Sequence, residues 1–188
     1  MNRTWIFPIG LLTATMLEAA EPSANPFVAP GATVETVADR GFTFLEGPAC
    51  APNGDLYFAD IREDRIYRYD VAAGKVNMVL ENSGGVNGMQ FDARGRLIGC
   101  QGTHRRLIAY HPETMKVVET YPDQYEGKRF NKPNDLWIDP GGGIYFTDPN
   151  YSRADKTFEM DGRFVYYIKP DGKTILRLDK YNKPNGIV

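Results

Sequence analysis

The hydrophobic pattern of this chain is a succession of short apolar runs separated by glycine, proline and asparagine turns. Arg65-Ile66-Tyr67-Arg68-Tyr69 alternates polar and apolar with period two, as a half-buried strand does. An aromatic-rich run over 55–59 precedes it, and a further strand over 76–80 follows a glycine turn. The same succession recurs over 88–91, 97–100, 106–110 and 116–120, and again over 136–138, 144–147, 164–168 and 174–178. No segment has helical periodicity. Each set opens at an anchor dipeptide, Glu46-Gly47, Asn87-Gly88 or Asn134-Asp135, and a fourth anchor, Asn185-Gly186, stands near the last residue. The steps between anchors are 41, 47 and 51 residues. A repeat of about 40–50 residues built from four short strands predicts an all-β fold, a β-propeller of four-stranded blades. The registered repeat favours it over an all-β sandwich. Residues 46–188 supply about three blades and the start of a fourth, where closed propellers have about 4–8. The array is therefore expected to be incomplete and unable to close alone.

Two longer stretches, 121–132 and 149–163, break the pattern and are expected to be loops that roof one end of the channel. A strand-like run over 34–38 is the natural candidate for the terminal strand that completes a last blade. The N-terminus has the features of an export signal over 1–20: Arg3, a largely apolar run over 5–17, and small residues at Ala19-Ala20. That run is shorter than the roughly 20 apolar residues a membrane span requires. A linker over 21–32 follows, with Pro22, Pro26, Pro30 and Gly31, and then the propeller domain over 33–188. Export to the periplasm or the exterior is expected, or a cytoplasmic location if the segment is not a signal. Cys50 and Cys100 occupy non-equivalent places in their repeats, so two free, buried cysteines are expected rather than a disulfide.

Composition narrows the partners. The chain is 42% hydrophobic and 24% charged, with a net charge of −2. Its basic clusters, Arg105-Arg106 and Lys128-Arg129, are only two residues long, so the basic stripe that nucleic acid requires is missing. Unpaired strand edges at the ends of an open array predict instability or self-association.

The candidate chemistry lies in the anchors, because equivalent positions of successive blades converge on one central channel. Singly, an Asn-Gly or Asn-Asp pair is ordinary turn chemistry. In register, Glu46, Asn134 and Asn185 form an oxygen-donor set suited to a hard cation, and Asn87 lines the same channel with or without binding it. His104 and Arg105 are expected at the rim and His111 in a turn before Pro112; Asp148, at a strand end, is either a turn residue, the favoured reading, or a carboxylate that supports the site from behind. Nucleophilic Ser-His-Asp chemistry is disfavoured, since the chain has only two histidines and no Gly-x-Ser-x-Gly elbow.

Phe44-Leu45-Glu46-Gly47-Pro48, Lys128-Arg129-Phe130-Asn131-Lys132-Pro133-Asn134-Asp135-Leu136, Ile144-Tyr145-Phe146-Thr147-Asp148-Pro149 and Lys183-Pro184-Asn185-Gly186-Ile187 resemble the gluconolactonase/regucalcin (senescence marker protein) family. The resemblance runs from about residue 33 to the end, with the motifs in order at blade spacing. It implies a six-bladed propeller that hydrolyses sugar lactones with one divalent cation, most often Ca²⁺, with Mg²⁺, Mn²⁺ or Zn²⁺ as alternatives. Diisopropyl fluorophosphatase-type phosphotriesterases are among the family's relatives. By resemblance, Glu46 is the first-blade metal carboxylate and Asn185 the metal-binding asparagine, while Asn134 binds metal in some members and substrate in others. Regucalcin has a substrate-binding arginine two places before that asparagine, where this chain has Lys132. The family's metal-binding aspartate and general base is expected beyond residue 188, so no catalytic residue is assigned, and a site without it should hold Ca²⁺ or Mg²⁺ more weakly. Three readings stay open: a metal-dependent sugar lactonase, a catalytically inactive truncated propeller that at most binds ligands or partners, and a phosphotriester or ester hydrolase at the same metal.

Overall fold

Three four-stranded sheets and one short hairpin carry the residues described in this computed structural model, which are 28–29, 31–151 and 157–188. The expected export segment lies outside them, as does most of the expected linker. One compact unit covers Thr36–Val188. Blade 1 contains β1 (Leu45–Cys50), β2 (Leu56–Asp60), β3 (Arg65–Asp70) and β4 (Lys75–Glu81). Blade 2 contains β5 (Val86–Phe91), β6 (Leu97–Gln101), β7 (Arg106–Tyr110) and β8 (Val117–Thr120). The hairpin β9 (Gln124–Tyr125) and β10 (Lys128–Arg129) intervenes. Blade 3 then contains β11 (Leu136–Ile138), β12 (Ile144–Asp148), β13 (Arg163–Ile168) and β14 (Ile175–Tyr181). Within each blade the strands pair in sequence order, and every pairing is antiparallel. This is the propeller-blade architecture that the repeat predicts.

Carboxylates close the turns between strands. Asp92 Oδ1 accepts the N–H groups of Arg94 and Arg96 at 2.9 and 2.8 Å, and Asp139 Oδ1 those of Gly141 and Gly143 at 2.7 and 3.0 Å. An Asp side chain that mimics a backbone turn explains why these loops carry Asp followed by glycine.

The middle blade has apolar residues on both faces because it is covered on both. Strand β6 is buried throughout. Leu97, Ile108 and Tyr110 pack with Tyr57, Ile66 and Val86 in a core shared with blade 1. On the opposite face Ile98, Cys100, Leu107 and Ala109 pack with Leu136, Phe146, Phe164 and Tyr166 in a core shared with blade 3. Successive side chains alternate faces along a strand, so one strand serves two cores.

Four expectations are corrected. Residues 34–38 form no strand here and pair with none of the described sheets, and Val34 and Val37 are exposed. The 121–132 stretch contains a hairpin, turned at Glu126 and Gly127, both with positive φ (50° and 77°) as a type I′ turn demands. Both cysteines are free, but only Cys100 is buried, since Cys50 ends β1 on an exposed position. Asp148 is no turn residue; it pairs with Phe164 at the end of β12 and is fully buried.

Candidate functional site

The anchors sit where the ladder of each blade breaks. Between β1 and β2 the register shifts between Glu46 and Ala49, at Gly47 (φ 56°) and Pro48, which has no N–H to donate. Between β5 and β6 it shifts between Val86 and Met89, at Asn87-Gly88. Such bulges re-aim a side chain out of the pleat. The third anchor precedes β11: Asn134 N–H donates to Thr147 O at 2.9 Å, and Thr147 N–H to Asp135 O at 3.0 Å.

The anchors are also stitched to one another. Gly88 N–H donates to Asn134 O at 2.7 Å. The Thr147 hydroxyl donates to Asn185 O at 2.6 Å, and Ile187 N–H donates to Asp135 Oδ2 at 3.1 Å. Glycine is required at the contacts: a Cβ on Gly47 would lie 1.9 Å from Asn87 O, and one on Gly88 2.2 Å from Asp135 Oδ1. Backbone bonding thus consumes the main chain of Asn134 and leaves its side-chain amide for chemistry.

The result is one cavity of about 460 Å³ lined by Glu46, Asn87, Asn134, Asp135, Trp137 and Asn185, among others. The sequence-predicted donors Glu46, Asn134 and Asn185 are therefore brought together, with Asn87 beside them. Lys132 is not among the lining residues; its side chain is exposed. Asn134 is 8% exposed, whereas Asn185 is exposed. Among the described residues no group of three or more His, Cys, Asp or Glu is placed to hold a metal. The donor set is one uncommitted carboxylate with amide oxygens, which fits a hard cation such as Ca²⁺ better than Zn²⁺, whose protein ligands are mostly thiolate and imidazole. A second cavity, of about 290 Å³, includes Arg96 beside Asp92 and Glu119. There Arg96 pairs with both carboxylates.

Three supports of the site carry no periodic signal. Tyr151 O–H donates to Pro184 O at 3.1 Å, and Asn185 Nδ2 donates to the same phenol oxygen at 2.8 Å. Burial pushes this phenol above its ordinary value, opposed by the Asn185 hydrogen bond, and the nearby Glu46 carboxylate pushes it further up. Thr147 bridges two anchors. Asp148 Oδ2 accepts Asn131 N–H at 2.8 Å, while Asn131 Nδ2 donates to Asp148 O at 3.1 Å and Gly162 O at 2.9 Å. That clamp fixes the segment leading into Asn134.

Stacked four-stranded blades with a polar cavity at their opening strands define a β-propeller protein. The chain belongs to the SMP-30/gluconolactonase/LRE-like family, whose profile matches residues 44–188. It is 31% identical over 172 residues to a gluconolactonase of Zymomonas mobilis subsp. mobilis, a match covering 82% of this chain and 48% of that protein. Among solved structures, a gluconolactonase of Xanthomonas campestris superposes with a TM-score of 0.72 at 29% identity, covering 80% of this chain and 52% of the other. A putative gluconolactonase gives 0.75 at 32% identity, covering 84% and 56%. A streptogramin B lyase at 17% identity and TM-score 0.55 shares the fold. The chain spans about half the length of the relatives it matches.

Proposed function

We propose that this chain carries part of the active cavity of a sugar-lactone hydrolase that uses a divalent cation, Ca²⁺ first. The observation that supports it is the convergence of Glu46, Asn134 and Asn185, far apart in sequence, on one cavity in a chain of gluconolactonase ancestry. Glu46 would supply the anionic ligand, and Asn134 and Asn185 neutral amide oxygens. A cation held there supplies Lewis-acid polarisation of a lactone carbonyl and a lowered pKa for a bound water. Asp135 is committed to the Ile187 N–H, so its task is to hold the fourth anchor rather than to move protons. Asn87 is placed to accept or donate a hydrogen bond to a substrate hydroxyl.

Ligand or metal binding without turnover is the second reading. It is favoured by the lining, in which Glu46 is the only carboxylate free of backbone duties and is claimed by the cation. One experiment separates the two. The chelator-stripped chain is titrated with Ca²⁺, Mg²⁺, Mn²⁺ and Zn²⁺ while gluconolactone and a phosphotriester are offered. A metal-dependent lactone rate above buffer background, lost in Glu46→Gln, is expected. Metal uptake with no rate supports the second reading, and a phosphotriester rate alone moves the substrate class.

A further inference from the structure

We propose that Tyr151 is a positioning residue that sets which end of the Asn185 amide meets the cation, an inference that rests on the metal reading above. The phenol has one proton, and it is donated to Pro184 O at 3.1 Å, a carbonyl that can only accept. Its oxygen can therefore only accept from Asn185, at 2.8 Å. That assignment places Nδ2 on the tyrosine side and turns Oδ1, the only amide atom able to ligate a cation, to the other side. The main chain of Asn185 is pinned independently by the Thr147 hydroxyl at 2.6 Å. What remains free in this residue is its side-chain torsion, and Tyr151 removes that freedom. Without the phenol oxygen the amide can turn its NH₂ group toward the cation, which repels it. Partners of this kind behind a ligand typically change metal affinity about 10–100-fold. Tyr151 itself is 47% exposed, so loss of its hydroxyl leaves no buried polar group behind.

The test is a double-variant cycle read by calorimetric Ca²⁺ titration of the full chain, with thermal unfolding of the metal-free chain as a fold control. Tyr151→Phe should weaken Ca²⁺ binding about tenfold and leave the metal-free unfolding midpoint in place. In an Asn185→Asp background both terminal atoms are oxygens and orientation no longer matters, so Tyr151→Phe should there cost less than about twofold. An equal loss in both backgrounds assigns Tyr151 to packing and overturns the inference, as does no loss in the first. Glu46→Gln separates this from the site itself. If it abolishes Ca²⁺ binding while Tyr151→Phe does nothing, only the role of Tyr151 falls. If the unaltered chain takes up no Ca²⁺, or Glu46→Gln leaves uptake unchanged, the metal reading falls and this inference with it.

Discussion

Asp148 carries a buried carboxylate with one oxygen, Oδ1, that has no hydrogen-bond partner, while Oδ2 accepts from Asn131. Burial raises its pKa from 3.8 to about 7, and the N–H groups of Asn131 and Lys132 offset only part of that rise. The folded chain thus keeps a proton that the unfolded chain releases. Its contribution to stability is greatest below the ordinary carboxylate value, shrinks as pH rises from near 3.8 to about 7, and is constant above. Asp171, pulled down to about 2 chiefly by hydrogen bonds from Thr174, acts in the opposite sense but below that window. Asp148→Asn keeps an acceptor for Asn131 and cannot ionise. Denaturant midpoints measured from pH 4 to pH 7 should therefore slope downward less steeply in Asp148→Asn than in the unaltered chain. An unchanged slope would mean that Asp148 is ionised throughout. Glu46, Asn134 and Asn185 were legible because they recur at blade spacing. Tyr151 and Thr147 were not, and Asp148 was legible only as the alternative to a turn, because their roles come from hydrogen bonds across 17 to 38 residues with no period of their own.

At the level of elements, a strand whose polar and apolar residues alternate with period two, such as β3, reads directly from the sequence. Strand β1 does not alternate, because its bulge inserts Gly47 and Pro48 and mixes exposed with half-buried positions. The hairpin β9–β10 lacks the Asn-Gly signal and uses Glu126-Gly127 for the same positive-φ geometry. The bulges also explain how blades can press so closely together at the anchors. Gly88→Ala would place a Cβ 2.6 Å from Asp135 Cα and 2.8 Å from Asn134 O, both backbone and unable to swing aside. A loss of about 1–3 kcal/mol is expected, with a weakened cation site, because blades 2 and 3 must part at the cavity. Phe146→Ala acts differently. Phe146 is fully buried, edge-on to Phe130 at 5.0 Å and stacked on Tyr166 at 5.4 Å. Its removal should cost about 3–5 kcal/mol yet leave metal affinity per folded molecule near that of the unaltered chain. Chemical denaturation paired with calorimetry distinguishes the two: Gly88→Ala should change both readouts, Phe146→Ala only the first.

On the scale of the whole molecule, the proposed cation would tie together parts that belong to different blades. Glu46 belongs to blade 1, Asn134 opens blade 3, and Asn185 follows blade 3 on a segment held by Thr147 and Asp135. Blades 1 and 3 each pack on blade 2 through a separate core, so a shared ligand set links segments that share no core. Both outer sheet faces are aromatic: Phe58 and Tyr67 stack at 5.6 Å on blade 1, and Tyr145 and Tyr167 lie 4.5 Å apart on blade 3 beside Trp137. A ligand that binds only the folded array stabilises it by mass action, about 2.7 kcal/mol at a hundredfold excess over Kd. Ca²⁺ should therefore raise the unfolding midpoint in a concentration-dependent way, and chelator should reverse the rise. Glu46→Gln should abolish the Ca²⁺ response while leaving the metal-free midpoint nearly unchanged, since that carboxylate is at the cavity and not in either core. Differential scanning calorimetry across a Ca²⁺ series checks this, and an equal response in Glu46→Gln would place the stabilising ion elsewhere on the chain.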